Sequence, residues 1–279
     1  MDDRVQPVPA HIVIRMAART LAMASARALR RSAVAAATTC MLLASPAVAG
    51  AAEVKVLCSN GFRAVMEDLV PAFQRTTDHT VKVTYGLAAE LARRIEGGES
   101  FDLAILTPAL IDDLAGKRLI AQGSSVTLAR SPIALAIRRG APKPDLRTLN
   151  AVRQTLLGAS SIAYAREGAS ASFFLGLVER LELSGSLAGK IVPLASGAAV
   201  GAALSGGQID LGVIPVSEIL PVPGLDVGGT FPSDLAGYIT MTAGIGARAS
   251  ESAASSALVQ FLRAADAVPV LQKRGMQGP

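Results

Sequence analysis

The chain has 279 residues, with 27 Lys and Arg against 22 Asp and Glu, two Cys, two His and no Trp. Most of its formal charge of +5 lies in the first fifty residues; from Glu53 onward 21 basic side chains meet 20 acidic ones, a net of +1, which excludes a broad basic surface for nucleic acid. That stretch holds one Cys (Cys58) and one His (His79), which excludes an internal disulfide and a Cys/His metal cluster.

The first element is a leader. Arg15, Arg19, Arg27, Arg30 and Arg31 precede an uncharged stretch over residues 32–48 rich in Ala, Leu and Val. Pro46 breaks it, and Ala47-Val48-Ala49 fits a small-residue cleavage site. A basic segment, an apolar segment and small residues in that order predict a secretory signal peptide over residues 1–52, cut near Ala49, and a periplasmic mature chain. The apolar stretch is shorter than the ~20 residues that a membrane span needs.

Three strand-to-helix units follow. Apolar residues 54–57 run into Ser59-Asn60-Gly61 and a helical pattern over 62–75. Residues 81–85 run into Gly86 and a helix over 87–96, and residues 103–106 into Thr107-Pro108 and a helix reaching 115. A strand is predicted over 133–137, then a loop carrying Pro142 and Pro144, a helix over 146–157 and a strand over 161–164. The loop Arg166-Glu167-Gly168-Ala169-Ser170 leads to a helix over 171–183, with Phe173, Phe174, Leu177, Val178 and Leu181 at helical spacing. Next come a strand over 191–194, a short helix over 198–204 and a strand over 209–214. Pro215, Pro221, Pro223 and Gly224 read as a loop, ahead of a strand over 238–245 and helices over 252–265 and 268–274. Strands alternating with helices predict an α/β fold with mostly parallel strands. The order divides the chain into one lobe of residues 53–131 plus 240–279 and another of 132–239, with the strands at 133–137 and 238–245 crossing between them as a hinge.

In such sheets ligands bind at the carboxyl edge, where helix N-termini present unpaired N–H groups and a positive dipole end. Ser59, Asn60, Thr107 and Ser170 sit at those turns. Each is also a good N-cap, whose side-chain oxygen satisfies the first turn of its helix. Cys58 ends an apolar strand and reads as a buried small residue. His79 lies in the polar turn Thr76-Thr77-Asp78-His79-Thr80, too far out for a Ser-His-Asp triad. Gly185-Ser186-Leu187-Ala188-Gly189-Lys190 is one residue short of a phosphate loop and lacks the following Ser or Thr.

At this point the residues resemble a known family. Val54-Lys55-Val56-Leu57-Cys58-Ser59-Asn60, Tyr85-Gly86-Leu87-Ala88-Ala89-Glu90-Leu91 and Phe101-Asp102-Leu103-Ala104-Ile105-Leu106-Thr107 are similar to periplasmic solute-binding proteins of ABC importers, the molybdate-binding (ModA-like) type in particular. So are Ile209-Asp210-Leu211-Gly212-Val213 with Ser217-Glu218-Ile219, and the ending Lys273-Arg274-Gly275-Met276. The resemblance spans nearly all of the mature chain. It implies a two-lobed type II periplasmic-binding-protein fold with two crossing hinge strands, and a monomer that closes on a small molybdate-like oxyanion and delivers it to an inner-membrane permease. Carried over by position, the ligand contacts are Ser59, Asn60, Gly86, Leu87, Thr107 and Ser170.

Two positions depart from the molybdate type. Gly86-Leu87 offers no hydroxyl where a second serine stands, and Ile214-Pro215 stands where a tyrosine follows the strand. A small organic acid is therefore the competing ligand. The resemblance implies no catalytic residue, metal, cofactor or nucleic-acid partner. An enzyme on the same fold is the alternative, with Asp102, Glu167 or Asp210 as candidate acid–base groups. A cytoplasmic sensing domain of a transcription regulator is a third class, opposed by the leader and by the absence of a DNA-binding helix pair.

Overall fold

The computed structural model describes residues 50–278, so the expected signal peptide and cleavage near Ala49 fall outside the described residues. Nine strands form a mixed sheet in the order β2-β1-β3-β9-β4-β7-β5-β6, with β8 paired beside β4. β1 (Glu53–Ser59) pairs in parallel with β2 (Thr80–Gly86) and β3 (Leu103–Leu106). β5 (Ile162–Ala165) pairs in parallel with β6 (Ile191–Leu194) and β7 (Leu211–Pro215). β4 (Val126–Arg138) and β9 (Tyr238–Ile245) run antiparallel between these groups. The expectation of mostly parallel strands thus holds within each group and fails where the chain crosses between them.

β3, β5 and β7 are buried along their whole length, which is why they read as unbroken apolar runs. Helices cover the sheet. α1 (Arg63–Thr76) buries Val65, Met66, Leu69, Val70 and Phe73, a stripe at helical spacing. α2 (Ala88–Glu96) and α3 (Pro108–Gly116) follow β2 and β3. α4 (Leu149–Gly158), α5 (Ala171–Arg180), α6 (Ser184–Leu187) and α7 (Gly197–Ser205) surround β5 and β6. α8 (Val216–Ile219) follows β7, and β8 (Leu225–Thr230) precedes β9. α9 (Ser252–Arg263) and α10 (Val268–Lys273) end the chain.

Three expectations need correction. The strand expected over 133–137 is the far half of β4, a strand of 13 residues. Its first half pairs with β9 from Val126 to Pro132, and its second half pairs with β7 and β8 from Ile133 to Arg138. Pro132, which reads as a strand breaker, falls where β4 exchanges one set of partners for the other, so its missing N–H interrupts no continuous ladder. The loop expected after Pro215 contains α8 and β8. Gly228 and Gly229 dilute the strand pattern there, yet β8 runs so close to β4 that a Cβ on Gly228 would meet the Leu135 carbonyl at 3.1 Å. Finally, the helix expected over 171–183 stops at Arg180, because Glu182 turns left-handed at φ 52°.

The C-terminal tail is fastened to the sheet. Arg274 donates through Nε and Nη2 to the two carboxylate oxygens of Asp68 at 2.8 and 2.7 Å, the bidentate form of the ion pair. Gly275 follows at φ 71°, and a Cβ there would overlap the Val216 side chain, so the position needs glycine twice over. Buried Ser131, at the partner exchange in β4, donates to the Gly275 carbonyl and accepts from the Ser217 N–H.

Candidate functional site

A cleft of about 270 Å3 opens where the carboxyl ends of both strand groups meet. The turn after β1 contributes Ser59 and Asn60, and α1 contributes Arg63, Ala64 and Glu67. Leu87 and Ala88 come from the turn after β2. From the other group come Ala165 with Gly168, Ala169 and Ser170, then Gly197 and Ala198 of α7, Ser217 and Glu218 of α8, and Pro221 and Val222. Ile239 and Met241 of β9 form the remaining wall.

Four of the expected residues thus line one cleft: Ser59, Asn60, Leu87 and Ser170. Two do not. Gly86 lies one residue behind Leu87, paired with Ser59 across β1 and β2 and backed by the Leu91 side chain. Thr107 lines a neighbouring hollow of about 460 Å3 with Glu167, Ser172 and Tyr238.

Capping does not employ these hydroxyls. Thr148 and Ser196 accept from the N–H groups of Ala151 and Ala199 and so close the first turns of α4 and α7. Ser59, Thr107 and Ser170 stand at equivalent positions and make no such bond. Ser59 and Ser170 are 6% and 2% exposed. Ser217 is 4% exposed, and its Oγ has no hydrogen-bond partner among the described residues. A buried hydroxyl without a partner is costly, and a ligand group would satisfy it.

Charge in the cleft is sparse. Among the described residues Arg63, Glu67 and Glu218 are its ionisable lining side chains. The Arg63 guanidinium lies over the Tyr85 ring, 4.4 Å from its centroid, and donates to Asn60 Oδ1 at 3.2 Å, so ring and amide together hold it beside the first turn. Glu218 is different. Its carboxyl lies between two glycines: a Cβ on Gly197 would overlap Oε2, and one on Gly61 would come within 3.6 Å of Oε1. No ion pair or hydrogen bond joins it to a described residue. Burial pushes its pKa up to about 7.

The candidate acid–base groups named from sequence fall elsewhere. Asp102 accepts from the N–H groups of Lys55 and Glu251 and from the Ser250 hydroxyl, which ties β1 to the turn before α9. Asp210 accepts from Ser160. Glu167 faces Arg93 at the exposed rim at 3.5 Å. Sequence reasoning missed Glu218 as a site residue, although the signal was present: an acidic side chain three residues beyond a fully buried strand, at the ligand-binding edge. Among the described residues no cluster of three or more His, Cys, Asp or Glu could hold a metal ion.

The mixed α/β sheet, whose two strand groups meet at a cleft lined by hydroxyls, has a fold that known proteins share. Residues 54–277 match the family described as bacterial extracellular solute-binding protein, and the chain belongs to that family. It is 30% identical over 250 residues to an aconitate isomerase from Pseudomonas sp., covering 85% of this chain and 93% of that protein. It is 26% identical to the molybdate-binding protein ModA of Azotobacter vinelandii, covering 81% and 90%. The solved periplasmic molybdate-binding protein of Azotobacter vinelandii superposes with a TM-score of 0.68 at 20% identity, over 81% of this chain and 99% of that one. The ModA-like fold expected from the sequence is the fold observed.

Proposed function

We propose that this solute-binding protein captures a small organic carboxylate of the aconitate class in the periplasm and delivers it, as a monomer, to an inner-membrane ABC permease. The observation that carries the reading is the mixed character of the cleft. Ser59, Asn60, Ser170 and Arg63 supply donors for carboxylate groups, while Leu87, Ile239, Met241, Pro221 and Val222 supply an apolar wall for a carbon chain. A bare inorganic oxyanion leaves that wall without a partner. The relative named for its action on aconitate supports the same ligand class.

The lobes of this reading are residues 53–131 with 240–279 and residues 132–239, closing about β4 and β9 on a ligand that contacts both. The exported form begins near Gly50, after cleavage at Ala49.

A small oxyanion is the second reading. Ser59 at the first turn favours it, as does the likeness to the Azotobacter molybdate-binding protein. A thermal-shift panel separates the two, because a ligand that binds the native state alone raises the melting midpoint by mass action. Cis- and trans-aconitate and related di- and tricarboxylates are expected to raise it, and molybdate, tungstate and sulfate to leave it unchanged. The reverse pattern would overturn the carboxylate reading.

A further inference from the structure

We infer that the cleft moves a proton within its bound ligand, with the Glu218 carboxylate as the base that removes the proton and the acid that returns it. The inference rests on the carboxylate reading above. Its geometric basis is the seat of Glu218. The side chain reaches into the cleft from α8, between Gly61 and Gly197, and any larger residue at Gly197 would displace it. No described residue hydrogen-bonds to it or pairs with it, so neither oxygen is committed to holding the fold together. Asp102 and Asp210, by contrast, are saturated by backbone and serine donors.

A carboxyl that only lines a binding cleft for anions is a liability, since it repels the ligand when ionised. One that exchanges a proton with the ligand needs both of its protonation states near neutral pH, and burial supplies that condition. Among the described residues Arg63 and Glu67 of α1 are the other ionisable groups facing the cleft. Arg63 is held against Tyr85 and Asn60, which suits it to a carboxylate of the ligand rather than to Glu218.

The fitting substrate carries a CH2 next to a carbon–carbon double bond that is conjugated to a carboxylate. An ionised Glu218 oxygen takes a proton from the CH2, so that a C–H bond breaks and an O–H bond forms. The electron pair spreads over the three-carbon unit and into the adjoining carboxylate, where the hydroxyls of Ser59 and Ser170 and the Arg63 guanidinium can meet the charge. Protonated Glu218 then gives the proton to the far carbon of the unit. The O–H bond breaks, a C–H bond forms, and the double bond has moved by one position. Nothing is oxidised or reduced, and no co-reactant is consumed. In aconitate the shift regenerates the same connectivity, so its outcome is exchange between the cis and trans isomers.

The test is proton NMR of trans-aconitate in deuterated water with the purified protein, alongside calorimetric titration of the same compound. The wild-type protein is expected to bind it and to produce the cis isomer with deuterium uptake at the carbon that receives the proton. Glu218→Gln keeps the shape and loses the base, so the rate should fall by roughly 10²- to 10⁴-fold while the affinity changes only a few-fold. Glu218→Asp, which keeps a carboxyl but withdraws it, should be slowed yet remain faster than the Gln variant. This second variant guards against a misfolded Gln protein. Binding with neither isomerisation nor deuterium uptake would overturn the inference and leave the carboxylate reading standing. A Glu218→Gln protein as fast as wild type would also overturn it. No binding of either isomer would remove the carboxylate reading, and the inference with it.

Discussion

Two carboxyl groups of this protein leave water in opposite ways. Asp102, 2% exposed at the start of β3, accepts three hydrogen bonds from Lys55, Ser250 and Glu251. Burial is the largest single influence on it and raises its pKa, yet the hydrogen bonds together outweigh burial and hold the group below the usual range. Glu218, on α8, is half-buried in the cleft wall without partners among the described residues, and the loss of water around it moves its pKa the other way. The contrast teaches how partners decide the state of a carboxyl out of water. A charge saturated by its own chain fastens the fold, whereas a half-buried acid at a cleft wall with no partner among the described residues raises the energy of the folded state and leaves its oxygens open to the cleft.

The largest expected effect tests the first half of that contrast. Asp102→Ala leaves two backbone N–H groups and a hydroxyl without their acceptor, and should cost about 3 kcal/mol of stability, as bonds to charged groups are the stronger kind. Urea unfolding reads the loss. Ligand affinity of the remaining native protein should not change, and a parallel loss of affinity would erase the distinction.

The second effect concerns Glu218 and pH. Its pKa is ordinarily near 4.5 and stands at about 7 in the native protein. Between those values the unfolded chain has released the proton and the native protein still holds it. Stability is therefore full below about 4.5, falls as pH rises toward 7 and levels off beyond, a decline of roughly 2–3 kcal/mol. Glu218→Gln should abolish this decline and be the more stable protein at pH 8. Denaturation midpoints of both proteins across pH 4.5 to 8 check it, and parallel pH profiles would place Glu218 in contact with water or a partner.

Ser59→Ala comes next. Because Ser59 makes no cap bond, its loss should barely move the melting point, while a hydroxyl bond to an anionic ligand contributes about 1.5–3 kcal/mol of affinity. Calorimetric titration with aconitate reads the difference. A lowered melting point at unchanged affinity would remove Ser59 from the site. The smallest effect belongs to Arg93→Ala. The Arg93–Glu167 pair is exposed on both sides, so its loss should change stability by less than about 0.5 kcal/mol.

The sequence announced the fold where residues are buried on both sides or on one clear face. The strands over 103–106 and 238–245 and the apolar stripe of α1 are legible for that reason. It concealed the first half of β4, all of β8 and α8, because Pro132, Pro215, Gly228 and Gly229 carry loop signals that strand exchange and close packing override. The site followed the same division. Ser59, Asn60 and Ser170 stand at strand-to-helix turns, where the carboxyl-edge rule leads, and Leu87 came through the family resemblance; the same rule led to Thr107, which lines a neighbouring hollow instead. Glu218 sits on a helix of four residues inside an apparent loop, where an acid reads as solvated. Its seat in the cleft is made by two glycines, Gly61 and Gly197, that are distant in sequence and adjacent to it in space.

The most direct test of the carboxylate reading is a crystal structure of the protein grown with trans-aconitate. The ligand's carboxylates should lie against Ser59, Ser170 and Arg63, its carbon chain along Ile239 and Met241, and one of its carbons beside the Glu218 carboxyl. A structure in which aconitate is absent from this cleft, while molybdate supplied in its place is bound there, would contradict it.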